Sequence, residues 1–364
     1  MQRRVSAVLA LAAAALGAAL PAAAQAASAA TDIISLASRG TAAQVREALQ
    51  AGRDAETRGE NSVTALMRAA SDNPDPAVIS VLLEFGARVN DADDSGHTPL
   101  MYAAKAHAQD AVLSALLDKG AEVDARDQAG ATALILALSA GSADEGLVRI
   151  LLGAGARVDA ATKDGWTPIL TACRFNPDAP ILGRLLDAGA RVDGRTGEGA
   201  TALDLALTAR ADEDAISVLL AAGARGDQVT SDGWTPLMVA ARYDESPAVL
   251  AALIAAGAPV NARGDQGVTA LMLAAVGCTN PDSVVVLVGA GANLDDRTDD
   301  GRTALMLAAR YTMAFQVVSA FLNAGADASL ASPDGRTAFD FASYNRFLVQ
   351  TPVYDQLRAA ARKK

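Results

Sequence analysis

Two tryptophans and three arginine–aromatic pairs are the side chains in this sequence best suited to gripping another molecule. Trp166 and Trp234 are its only tryptophans and stand 68 residues apart. Arg174-Phe175, Arg242-Tyr243 and Arg310-Tyr311 recur at the same 68-residue interval. Arginine and aromatic residues join large contact area to charge-assisted donors, which is why interface hot spots are rich in them. Groups for bond-making chemistry are scarce. His97 and His107 are the only imidazoles, and the chain has no nucleophile-elbow serine, P-loop or dinucleotide-binding glycine pattern. Asp91-Ala92-Asp93-Asp94-Ser95-Gly96 matches the first half of an EF-hand loop, but position twelve, which needs a bidentate glutamate, is Tyr102. A metal-dependent enzyme and a calcium-binding protein are therefore the weakest readings. No enzyme activity, cofactor or metal is expected.

The elements that must position these residues follow a strict period. The block TALMRAA at Thr64–Ala70 returns with its threonine at 98, 132, 167, 201, 235, 269, 303 and 337, every 34 residues with one interval of 35. Self-similarity at this period means a stacked array of one small unit. In the unit beginning at Thr167, the threonine hydroxyl and Pro168 read as N-cap and first helical position. Ile169, Leu170, Ala172 and Cys173 continue an apolar face, and Asn176-Pro177-Asp178-Ala179-Pro180 reads as a break. A second helix is expected from about Ile181 to Ala188, burying Ile181, Leu182, Leu185 and Leu186. Gly189 stops it, and Gly86, Gly120, Gly155, Gly223, Gly257, Gly291 and Gly325 hold the same phase. Glycine past a helix end is what a left-handed C-cap requires. Asp-Gly follows at 164–165, 232–233, 300–301 and 334–335, the signature of a tight hairpin. The aspartates at 124, 159, 193 and 227, continued by Asn261 and Asp295, share one turn position and read as turn chemistry.

Helix, loop, helix, glycine stop and hairpin, with the blocks DGWTPLM and LLDAGA, resemble the ankyrin repeat family. Tetratricopeptide repeats share the length but lack the glycine stop and hairpin. The resemblance spans about residues 31–364 and implies a mainly α solenoid of helix–loop–helix units joined by β-hairpin turns. One departure stands out: the histidine usual after TPL is replaced by Met67, Met101, Met238, Met272 and Met306, or by Ile135 and Leu170. The hydrogen bonds that such a histidine makes between repeats are expected to give way to apolar packing. The unit is also one residue longer than the family norm, and the extra residue is placed in the loop between its helices.

The resemblance further implies that hairpin tips and the exposed side of each first helix line one concave, partner-binding face. The residue before each threonine then includes His97, Trp166, Trp234, Arg302 and Arg336. With Tyr102 and the pairs Arg174-Phe175, Arg242-Tyr243 and Arg310-Tyr311, these are the candidate contacts to a protein partner. Structural cover of hairpins and helix ends is the competing role for any one of them. The 68-residue recurrence is equally what duplication of a two-repeat unit would leave behind.

The ends differ from the middle. Arg3-Arg4, an apolar run from Val5 to Leu20 and Ala24-Gln25-Ala26 have the three-part form of a cleaved signal peptide over residues 1–26. Residues 27–63 then form an N-terminal capping repeat and hairpin, 64–336 the array, and 337–364 a C-terminal capping repeat with a basic tail. Phe339, Phe341, Tyr344, Phe347 and Tyr354 are expected to seal the last layer. Export predicts a periplasmic location in a Gram-negative bacterium, by the general or the twin-arginine route. Secretion toward a host protein is the alternative. Loss of Arg3 and Arg4 takes the formal net charge from −11 to −13, which argues against nucleic acid or anionic lipid as partner. No stable membrane insertion of the mature chain is expected, and the chain is expected to be monomeric. Cys173 and Cys278 lie three repeats apart, roughly 25–30 Å at 8–10 Å per helix layer, too far for a disulfide. Cys173 reads as buried, whereas Cys278 reads as an exposed loop thiol.

Overall fold

The computed structural model describes residues 33–141, 143–230, 233–243 and 246–361. The proposed signal segment and the basic tail's last three residues lie outside the described residues. Two compact units divide the chain, Met1–Gln128 and Ala129–Lys364. Within the first, helix pairs are 33–39 with Ala42–Gln50, Ala65–Asp72 with Pro76–Glu84, and Pro99–Lys105 with Asp110–Asp118. The second holds seven more pairs, from Ala133–Ser139 with Glu145–Gly153 to Ala338–Ala342 with Pro352–Ala361. In each unit first helices pack on first helices and second on second, so both apolar stripes of a pair face its neighbours. Among the described residues every named element is helical, and four isolated antiparallel bridges, such as Arg195 with Thr201, mark hairpins.

The threonines cap as expected: the Thr235 hydroxyl accepts from Met238 N–H at 3.2 Å, and Thr64, Thr98, Thr132, Thr167, Thr201, Thr269 and Thr303 bond in the same way. The methionines in the histidine position are fully buried. Gly189 sits at φ +93°, and the seven glycines in its phase lie between +86° and +93°; Gly52 after the first pair is at +92°, so a left-handed C-cap closes each pair up to the one that ends before Gly325. One boundary differs from expectation. The helix after Thr167's own runs Ala179–Asp187, with Asp178 as N-cap accepting from Ile181 N–H at 3.3 Å. Pro180 opens this helix instead of breaking it, because first-turn N–H groups have no intrahelical acceptor to lose. Leu186 is only half-buried, while Ile181, Leu182 and Leu185 are buried.

Apolar packing has not replaced the polar ties between repeats; other residues carry them. Arg58, Arg263 and Arg297 each donate to a carbonyl in the next hairpin, at Ala92, Arg297 and Ala331, over 2.8–3.1 Å. Asn261 donates to Gly291 C=O and accepts from Asn293 N–H, both at 2.9 Å, and Asn90 bridges Gly120 and Glu122 equivalently. The loop asparagines reach the other way. Asn73 donates to Ala37 and Gly40 carbonyls at 2.9 Å, Asn176 to Ala143, and Asn345 to Ala309 and Thr312. Asn73 and Asn345 thereby satisfy carbonyls left orphaned at a preceding helix end, and Asn176 satisfies one in the preceding interhelix loop. Asn-Pro-Asp is thus a tie between repeats as well as a loop.

Two further expectations are corrected. Cys278 is buried, 2 % exposed, as the C-cap residue of Ala270–Gly277, with its thiol 3.5 Å from Ala241 C=O in the preceding pair. Phe341 is buried and Phe339 packs on Tyr354 at 5.1 Å, but Tyr344 and Phe347 are exposed. Leu348, Val353 and Leu357 of the last helix and its approach close the core instead. Rings as large as Tyr344 are not needed where a ten-residue helix already covers the layer.

Candidate functional site

Hairpin geometry decides where the residue before each threonine points. Thr162 N–H donates to Trp166 C=O at 3.0 Å, and the Thr162 hydroxyl accepts from Trp166 N–H at 3.1 Å. Thr230 holds Trp234, and Thr298 holds Arg302, through the same two bonds; Ser332 binds the Arg336 carbonyl. A hydroxyl four residues upstream therefore pins each displayed side chain to the hairpin's closing position. That hydroxyl was a signal available in the sequence and not used.

Three groupings of candidate residues emerge in the unit Ala129–Lys364. Trp166 lies 5.9 Å from the Phe175 ring, and the Arg174 guanidinium is 5.7 Å from the same ring. Arg310 lies between Tyr311 and Tyr344, 5.7 and 5.4 Å from the ring centres, and donates to Tyr344 C=O at 3.1 Å. Between them Arg242 and Arg302 line a pocket of about 340 Å³ whose apolar wall includes Val268, Leu273, Val276 and Leu307. Phe175, Tyr243 and Tyr311 remain 46, 42 and 50 % exposed. The arginines beside Phe175 and Tyr311 therefore leave much of those rings open, Tyr243 is open as well, and structural cover does not account for the whole of these side chains. Arg302 and Arg336 pair with Asp300 and Asp334 at 3.1 and 3.2 Å, and Arg302 also stacks 5.7 Å from Phe341.

In the unit Met1–Gln128, His97 and Tyr102 are occupied internally. The imidazole lies 3.5 Å from Asp93 through Nδ1 and 3.4 Å from Asp127 through Nε2. Tyr102 donates its hydroxyl to Asp93 at 2.8 Å. Burial pushes the Asp93 carboxyl up, but donors from His97, Tyr102 and Ser95 outweigh it and hold the group below the usual carboxylate range. Burial and the bond to Asp93 push the Tyr102 hydroxyl up to about 12. The carboxylates of the calcium-like stretch are spent on this network: Asp91 pairs with Arg58 and Arg88, and Asp94 accepts from Ser62 at 2.6 Å. Among the described residues, no three His, Cys, Asp or Glu side chains are placed to share a metal ion. No helix among them is long and apolar enough to cross a membrane.

A family model, ankyrin repeats in three copies, matches residues 33–127, 91–144, 110–195, 134–228, 203–295 and 271–351. The chain belongs to the ankyrin repeat family. Among solved structures, the human ASB11 ankyrin repeat domain is similar at 28 % identity and a TM-score of 0.53, covering 63 % of this chain and 98 % of its own. A search of curated protein sequences gave no match. Ankyrin repeat proteins are in general binding scaffolds and not enzymes, which agrees with a candidate site made of arginines, exposed rings and a shallow pocket.

Proposed function

We propose that this ankyrin repeat protein is a non-enzymatic scaffold, exported to the periplasm, that binds a protein partner through its hairpin tips and first-helix ends. One observation carries the reading. Phe175, Tyr243 and Tyr311 stay about half exposed beside Arg174, Arg242 and Arg310 on successive alternate repeats, and aromatic rings beside arginines in one register are the residue types that interface hot spots are rich in. Caps, hairpins and asparagine ties hold these side chains in register, so little conformational entropy is lost when a partner docks. Export rests on the form of residues 1–26.

Two experiments test the proposal. Fractionation of cells expressing the tagged protein should recover it in the periplasm, shortened at its N-terminus; recovery in the cytoplasm at full length contradicts export. Capture from a periplasmic extract should yield a protein retained by the wild type and lost with Trp166→Ala, Trp234→Ala and Arg242→Ala combined. Equal retention by the folded variant would move the binding site off this face.

A further inference from the structure

The arginines of the unit Ala129–Lys364 differ in what they are paired with. Five in the hairpins have carboxylates beside them: Arg157 with Asp159, Arg191 with Asp193, Arg225 with Asp227, Arg302 with Asp300 and Arg336 with Asp334, all within 3.2 Å. Arg195 and Arg297 spend their N–H groups on Gln228 and on backbone carbonyls. The three at first-helix ends, Arg174, Arg242 and Arg310, pair with no carboxylate among the described residues. In a chain with 42 acidic residues against 31 basic ones, three guanidiniums in one register without a carboxylate partner among the described residues stand out. Arg174 and Arg310 lie near aromatic rings, an arrangement in which a guanidinium can still offer N–H groups to a carboxylate; Arg310 gives one of its N–H groups to Tyr344 C=O and keeps the others. Arg242 opens onto the pocket of about 340 Å³ walled by Val268, Leu273, Val276 and Leu307. Its two acidic neighbours there are already engaged, Asp300 with Arg302 and Asp299 with Arg263.

Deepening the proposed function and resting on it, we infer that the partner offers an extended acidic segment to these helix ends. Arg174, Arg242 and Arg310 each receive a carboxylate, and an apolar side chain beside the central one enters the pocket. Two repeats at about 8–10 Å per layer put successive arginines ~16–20 Å apart. Extended chain at ~3.3 Å per residue covers that in five or six residues, which sets the spacing of the acidic positions.

The test uses the full chain and fluorescein-labelled synthetic peptides with Glu-Leu pairs at six-residue intervals in a glycine–serine background, read by anisotropy. The glutamate peptide should bind, and its glutamine counterpart should bind at least about tenfold more weakly. Arg242→Gln should weaken the glutamate peptide by a similar factor without further weakening the glutamine peptide, and Arg242→Lys should recover part of the loss. Circular dichroism and unfolding midpoints establish that each variant is folded. No binding of the glutamate peptide, or equal binding of the glutamate and glutamine peptides, overturns the inference. A captured partner lost with the triple variant, yet not displaced by the glutamate peptide, would refute the acidic segment alone and leave the binding face standing.

Discussion

Two glycines on one helix give opposite expectations for the same substitution. Gly183 lies inside Ala179–Asp187, and Gly189 follows it at φ +93°. A Cβ built at either position meets no atom within 4 Å, so neither change introduces a clash and only backbone preference is altered. Gly183→Ala removes the entropic penalty of a helical glycine and should stabilise by about 0.8–1 kcal/mol. Gly189→Ala forces an L-residue into the left-handed region and should destabilise by about 1–2 kcal/mol. The pair should therefore differ by about 2–3 kcal/mol although both add one methyl group. Repeat arrays need not unfold in one step, so urea titration should be joined to hydrogen exchange at the amides of Ala179–Asp187. Protection there should rise for Gly183→Ala and fall for Gly189→Ala. Shifts of the same sign in both variants would refute the C-cap reasoning.

Other consequences follow from particular contacts. Cys173 and Cys278 are both buried, and burial also pushes the Cys173 thiol up, so neither should react with a thiol reagent in the native protein. Both should react once urea unfolds it. Asn73→Ala would leave the Ala37 and Gly40 carbonyls without their donor and should cost about 2 kcal/mol, in the range for orphaned buried acceptors, measured from the urea midpoint. The depressed Asp93 carboxyl contributes stability that is complete above the unfolded value of about 3.9 and is lost as pH falls through its folded value. Asp93→Asn should accordingly flatten the acid limb of the stability profile. The raised Tyr102 hydroxyl works at the other end. Its contribution is complete below the unfolded value of about 10 and is lost as pH rises toward about 12. Tyr102→Phe should remove the most alkaline tyrosine step in an absorbance titration.

Repeat length, N-cap threonines, C-cap glycines and the apolar faces were legible because each is a local rule repeated many times. Gly189 and Thr167 need no distant residue to explain them. What escaped was the set of contacts that cross from one repeat to the next. Asn73 and Asn176 read as loop formers, yet their side chains serve carbonyls of the preceding pair 33–36 residues away. Cys278 looked exposed because it follows a helix, but the close approach of the preceding pair at Ala241 buries it. His97 and Tyr102 read as surface candidates, and only the folded hairpin brings Asp93 and Asp127 around them. Candidate positions such as Trp166 and Arg242 were visible through phase alone. Their grouping around Phe175 and around the Arg302 pocket depended on how far each hairpin leans over its helix.

The central claim, that the first-helix ends face the partner, is tested most directly by site-specific photo-crosslinking in living cells. A photoreactive amino acid replaces Tyr243 in one variant and Val285, 59 % exposed on a second helix, in another. A discrete crosslinked protein species from the Tyr243 position and none from Val285 is the predicted result. The same species from Val285 alone, or from both positions equally, would contradict the account.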